Sequence, residues 1–211
     1  MPAERIFCAA IAALSGAGLF LQSGIPEGRP RKTMFVYYTN LSNLVIFVYH
    51  VLLLACGFRG GRLYRFLNGA GVRMSMTLCI WVTHLIFHFV LRPYFKNRRG
   101  RFDDAGFAVG NALVHYIVPL ACVAEWVLCA DKNAAFADCL AWLAIPCAYF
   151  VFVLIFAAAG GRVGGNGARY PYPFIDRDAL GTGRFLRNAA IALLGFFALS
   201  LLLYAAAALL R

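Results

Sequence analysis

Residues 35–57 read FVYYTNLSNLVIFVYHVLLLACG. The run is long enough to cross a bilayer, which takes about 20 largely apolar residues. Its first turns nevertheless carry Thr39, Asn40, Ser42 and Asn43. Polar groups at membrane depth are costly unless they are paired or functional. Thr39 and Asn43 stand four residues apart and share one face of a helix. What that face meets has to come from the other apolar runs.

The chain has 211 residues, of which 62% are hydrophobic and 14% charged, and its mean hydropathy is +0.72. A soluble domain of this length cannot hide so much apolar surface. Five further apolar runs fall at about residues 6–22, 72–91, 106–129, 136–159 and 185–210. The expectation is an all-α polytopic membrane protein, a six-transmembrane-helix bundle forming one domain over 1–211. The first run has no A-x-A cleavage pattern after it and reads as a retained helix rather than a signal peptide. Proline marks two further features: Arg92-Pro93 is expected to close the third helix, and Pro146 to kink the fifth.

The net charge of +11 comes from Lys and Arg in short loops between the apolar runs. There they orient helices and meet anionic lipid, so nucleic acid is not the expected partner. The odd-numbered loops hold Arg29, Arg31, Lys32, Arg92, Lys96, Arg98, Arg99, Arg101, Arg162, Arg169, Arg177, Arg184 and Arg187. Fewer basic residues lie on the other side, which leans the odd loops toward the cytoplasm. The seven cysteines lie in or beside apolar runs and form no C-x-x-C pair, so they read as small apolar residues of a bundle.

Counting spans brings four features to one side of the membrane. Thr39 and Asn43 stand early in the second helix, and His84 and His88 late in the third. Asn111 and His115 stand early in the fourth, and YPYPFID (170–176) precedes the sixth. At about 1.5 Å per residue their depths overlap, at roughly 5–13 Å from the helix ends. These side chains can line one polar cavity, with Tyr38, Trp81, Tyr172, Phe174 and Asp176 as further lining candidates.

A threonine hydroxyl becomes a nucleophile when a base takes its proton, and histidine is the usual base. Thr39 and His115 form such a pair if they approach within about 2.6–3.2 Å. Asn40, Asn43 and Asn111 carry amide donors for an oxyanion, and Asn111 or a backbone carbonyl would orient His115. Surrounding Phe, Leu and Val suit an acyl chain. Together these parts point to acyl transfer to water on a lipid ester; no metal or cofactor is expected, and lipid from the bilayer is the expected partner.

Other readings stand beside this one. A threonine in a membrane helix most often bonds its own i−4 carbonyl, and asparagines there are often interhelical glue. His84, His88 and His115 are a conceivable zinc set for a metal-dependent hydrolase. The polar layer also suits a transporter or lipid-binding protein. GGRVGGNG (160–167) reads as a flexible linker. His50 and Trp126 are expected at the interface, and Glu125 either there or paired with Arg73.

The motifs YYTNLSNL, NALVHYIVPL and YPYPFID resemble, in order, a family of six-helix bacterial membrane proteins. More distantly they resemble the eukaryotic androgen-induced family of intramembrane threonine hydrolases. The sharpest element is Asn111, His115, Pro119 and Leu120, supported by Tyr172, Pro173, Phe174, Ile175 and Asp176. The resemblance implies hydrolysis of fatty acid esters of hydroxy fatty acids, with Thr39 as nucleophile and His115 as base. It also implies a bacterial cell membrane. TNLSN is more polar than the eukaryotic form, which bears on the substrate.

Overall fold

The computed structural model describes residues 2–96, 105–163 and 167–211. Arg98, Arg99, Arg101, Asp103 and Asp104 of the third loop, and Gly164–Asn166 of the glycine-rich loop, lie outside them. Among the described residues, six helices are long and apolar enough to cross a membrane: Ala3–Gln22, Tyr38–Ala55, Ala70–Tyr94, Val109–Cys129, Asp138–Ala158 and Arg177–Leu209. The fold is all-α and polytopic, as its six apolar runs lead one to expect.

The elements are α1 (Pro2–Gln22), α2 (Tyr38–Ala55), α3 (Arg62–Leu67), α4 (Ala70–Ile86), α5 (Arg92–Lys96), α6 (Ala105–Ala112), α7 (Val118–Cys129), α8 (Asp138–Ala141), α9 (Ala144–Ala158) and α10 (Arg177–Leu209). A π turn, Phe87–Leu91, joins α4 to α5, and a second, Leu113–Ile117, joins α6 to α7. Each π turn ends two residues before a proline, Pro93 and Pro119. A proline inside a helix lacks an N–H and crowds the preceding turn, and one extra residue in that turn relieves the clash. Pro93 therefore does not close the third helix. It is absorbed by the π turn, and the span runs on to Tyr94.

Pro146 interrupts the fifth span, as expected. It cannot donate to the Trp142 carbonyl, and α8 and α9 part at residues 142–143. The sixth helix starts at Arg177, not at 185. The Asp176 carboxylate caps it, accepting from the N–H of Asp178 at 3.0 Å and of Ala179 at 3.2 Å. Gly181, at φ 75 and ψ 162, then breaks it after one turn.

The inner part of the bundle is α1, α2, α4 and α7 with the second π turn. Ile11, Ile46, Ile80, Val118 and Cys122 fill its centre. α9 and α10 stand outside, with most of their surface free for lipid. Trp126, expected at the interface, is buried inside the protein, with the Lys132 ammonium 4.9 Å above its ring.

α1 approaches the second π turn through Gly18, where an added Cβ would lie 2.8 Å from Val114 Cγ1 and 3.2 Å from Leu113 Cβ. Gly195 on α10 has no such neighbour. Gly18→Leu is therefore expected to destabilise the bundle by about 1–3 kcal/mol through overpacking. Gly195→Leu is expected to leave it unchanged or more stable. Thermal unfolding of the two variants in detergent checks the contrast.

Candidate active site

Proline 119 sets the local geometry. Its missing N–H would have bonded the His115 carbonyl in an α turn, or that of Val114 in a π turn. Both carbonyls are taken by side chains of neighbouring helices. His84 Nδ1 lies 2.8 Å from His115 O and donates to it. Asn43 Nδ2 donates to Val114 O at 3.1 Å and to Thr39 O at 2.8 Å. One amide thus ties the turn carrying His115 to the turn carrying Thr39.

The result is a direct contact: Thr39 Oγ1 lies 3.3 Å from His115 Nε2. This is just beyond the expected 2.6–3.2 Å, as is common in sites without substrate. Both residues are buried. Thr39 does not bond an i−4 carbonyl of its own helix, because α2 begins at Tyr38 and Phe35, four residues back, lies in the separate 3-10 turn Met34–Val36. Its position in the first turn leaves the hydroxyl for His115.

The same position leaves backbone N–H groups of α2 without helical partners. Tyr37, at the cap, supplies no side-chain acceptor. Two phenols from distant parts of the chain do so. Tyr38 N–H donates to Tyr149 Oη at 3.2 Å, and Thr39 N–H donates to Tyr172 Oη at 3.3 Å. The Tyr149 hydroxyl passes its own hydrogen to the Val36 carbonyl at 2.9 Å. Burial pushes the Tyr172 phenol above its ordinary range, so it stays a donor, and it neighbours the Thr39 side chain.

Tyr172 is held by stacking on Phe174, with ring centroids 5.4 Å apart, and by an edge contact to Tyr37 at 6.0 Å. Asn188 Nδ2 pins this segment by donating to Phe174 O at 3.0 Å. Beside Thr39 opens a cavity of about 380 Å³, lined by Tyr38, Thr39, Tyr172, Phe174 and apolar residues of α4, α9 and α10. The YPYPFID segment closes its polar end.

Several expected assignments change. Both amide hydrogens of Asn43 are used on carbonyls, so it is interhelical glue rather than an oxyanion donor. Asn40 Nδ2 donates to Met34 O at 2.9 Å and pins the entry to α2. Asn111 does not orient His115: among the described residues its side chain makes no hydrogen bond, and His115 Nδ1 is buried without a partner. The imidazole is held instead by the Phe87 ring, 3.7 Å between centroids. Trp81, His84, His88 and Asp176 do not line the cavity. His84 is a carbonyl donor, His88 Nδ1 contacts Tyr116 Oη at 3.1 Å, and Asp176 is a helix cap.

His84, His88 and His115 are not gathered as a ligand set. Among the described residues the one such grouping is Cys8, His50 and Glu125, at the opposite end of the bundle. Sequence reasoning missed the helix-capping role of Tyr149 and Tyr172. The available signal was a helix whose cap position, Tyr37, has no side-chain acceptor.

Asn43→Ala strands the buried Val114 carbonyl, to which Pro119 offers no N–H, while the Thr39 carbonyl keeps the Ser42 hydroxyl at 3.0 Å; the expected cost is about 1–3 kcal/mol in stability. Unfolding in detergent measures it, and Asn40→Ala, after which the Met34 carbonyl keeps the Tyr37 N–H at 3.3 Å, is expected to cost less. Comparison with protein-family models, with curated proteins and with solved structures gives no match.

Proposed function

We propose that this is an intramembrane ester hydrolase acting on lipid esters, with Thr39 as nucleophile and His115 as base. The observation that carries the reading is the contact between Thr39 Oγ1 and His115 Nε2 at 3.3 Å beside an apolar cavity of about 380 Å³. In this reading the Thr39 oxygen attacks the ester carbonyl carbon while its proton passes to His115 Nε2. The tetrahedral intermediate collapses, and the alcohol leaves with that proton. Water then attacks the acyl-threonine ester, again giving a proton to His115, and the free acid leaves as Thr39 recovers its hydrogen.

The developing oxyanion falls at the N-terminus of α2, where the helix dipole favours negative charge. In this reading the Tyr172 hydroxyl, which neighbours the Thr39 side chain, is the oxyanion's side-chain donor. The acyl chain occupies the cavity and enters from the bilayer between α9 and α10, where lining residues Cys147, Val151 and Leu193 are also exposed to lipid. Resemblance of the three motifs to the androgen-induced hydrolases supports fatty acid esters of hydroxy fatty acids as the substrate class. The bacterial form of TNLSN supports a bacterial cell membrane.

A fluorophosphonate probe tests the dyad. Wild type is expected to be labelled, with labelling lower by about 100-fold or more in Thr39→Ala and His115→Ala. Undiminished labelling in folded Thr39→Ala overturns it. Pro119→Ala supplies the missing N–H and competes with His84 and Asn43 for the carbonyls. It is expected to keep or raise thermal stability while lowering the labelling rate. Unchanged labelling would contradict the positioning role of Pro119.

A further inference from the structure

The end of the bundle away from Thr39 holds a second polar cluster. Glu4, on α1, pairs with Arg73 on α4. Arg73 Nη1 also reaches Glu125 Oε1 on α7 at 3.4 Å. His50 Nε2, on α2, lies 3.2 Å from Glu125 Oε2, and Cys8 Sγ donates to Glu125 Oε1 at 3.6 Å. His50, expected at the interface from its position near the end of α2, is 1% exposed and turned into the bundle. Glu125 takes the paired alternative, with Arg73. From Thr39 to His50 is about 16 Å along α2.

We propose that Cys8, His50 and Glu125 form a binding site for one divalent transition-metal ion of the zinc class. A thiol, an imidazole and a carboxylate are a zinc donor set, and their ligand atoms lie within 4.8 Å of one another. Tetrahedral zinc with ordinary bond lengths separates its ligand atoms by about 3.4–3.6 Å. Cys8 Sγ lies 3.6 Å from Glu125 Oε1 and His50 Nε2 lies 3.2 Å from Glu125 Oε2, so the two donors meet different oxygens of one carboxylate. With one ligand atom from each residue the set lies within 4.8 Å, which an ion would draw in. All three side chains are buried and come from three different helices, so an ion there would staple α1, α2 and α7.

Two further features fit an ion. A void of about 10 Å³, near the size of one water, is lined by His50, Glu125 and Arg73. Arg73 Nε is buried with no partner among the described residues. A water completing the metal's coordination would have both room and a donor there. Charge also balances. His50 Nδ1 donates to the Ile46 carbonyl, 2.8 Å away, so a hydrogen bond between Nε2 and Glu125 requires a second proton on the pair. That proton and the Cys8 thiol proton leave as a dication enters, and the net charge of the cluster is unchanged. Arg73 remains beside Glu4 and Glu125 as their counter-ion.

The test uses full-length protein stripped with chelator and titrated with Co²⁺ and then Zn²⁺ in detergent. Wild type is expected to bind one Co²⁺ with a thiolate-to-cobalt absorption band, and to release two protons per Zn²⁺ in weak buffer. Cys8→Ser is expected to lose the band and to bind Zn²⁺ at least tenfold more weakly. Thr39→Ala is expected to change neither, which separates this site from the hydrolase reading. Absence of the thiolate band in wild type overturns the proposal whatever the variants do. Equal Zn²⁺ affinity in wild type and Cys8→Ser overturns it as well.

Discussion

Pro119 has no N–H, and the geometry of the Thr39–His115 contact follows from that absence. An uninterrupted α-helix would use the carbonyls of residues 114 and 115 internally and present no acceptor to its neighbours. With proline in place, the chain makes a π turn, and His84 and Asn43 supply the two missing donors. These bonds fix α4 and α2 against the turn. They also fix the height of His115 relative to Thr39, whose own carbonyl shares the Asn43 amide. In a bilayer an unpaired carbonyl finds no water, so the side chains that fill these positions are held there strongly.

The start of α2 depends on a related constraint. A helix that begins inside the membrane must satisfy its first N–H groups without water, and Tyr149 and Tyr172 do so from α9 and from the 170–174 segment. α9 and this closing segment are thereby fastened to the first turn of α2, which carries the residue that faces His115. Between the fastening points they leave an apolar cavity. The bundle thus has a polar layer at one end opening on an apolar cavity, and a closed ionic cluster at the other. In the reading proposed above, the first does chemistry and the second holds a metal ion.

Much of the fold was legible because six apolar runs leave few alternatives for a chain of this composition. The approach of Thr39, His115 and Tyr172 was legible from span counting, since helices of known direction place residues at comparable depths. What was not legible is rotation about each helix axis. Rotation turns Trp81 and His88 off the cavity and commits Asn43 to carbonyls. The π turns were also hidden, because proline in a sequence announces a break but not whether the chain will absorb it. His50 and Glu125 are 75 residues apart in sequence, and no local pattern marks them as partners. The early start of the sixth helix rests on Asp176, which the motif reading had placed toward the cavity instead of at a cap.

The most direct measurement of whether Thr39 is a nucleophile is to trap its acyl intermediate. Purified protein would be mixed with a nitrophenyl ester of a medium-chain fatty acid, quenched during the first turnover, digested and analysed by mass. Thr39 as nucleophile predicts a burst of nitrophenol and an acyl group on Thr39, absent in Thr39→Ala. Turnover with no acylated residue, or with the acyl group on another side chain, would contradict it.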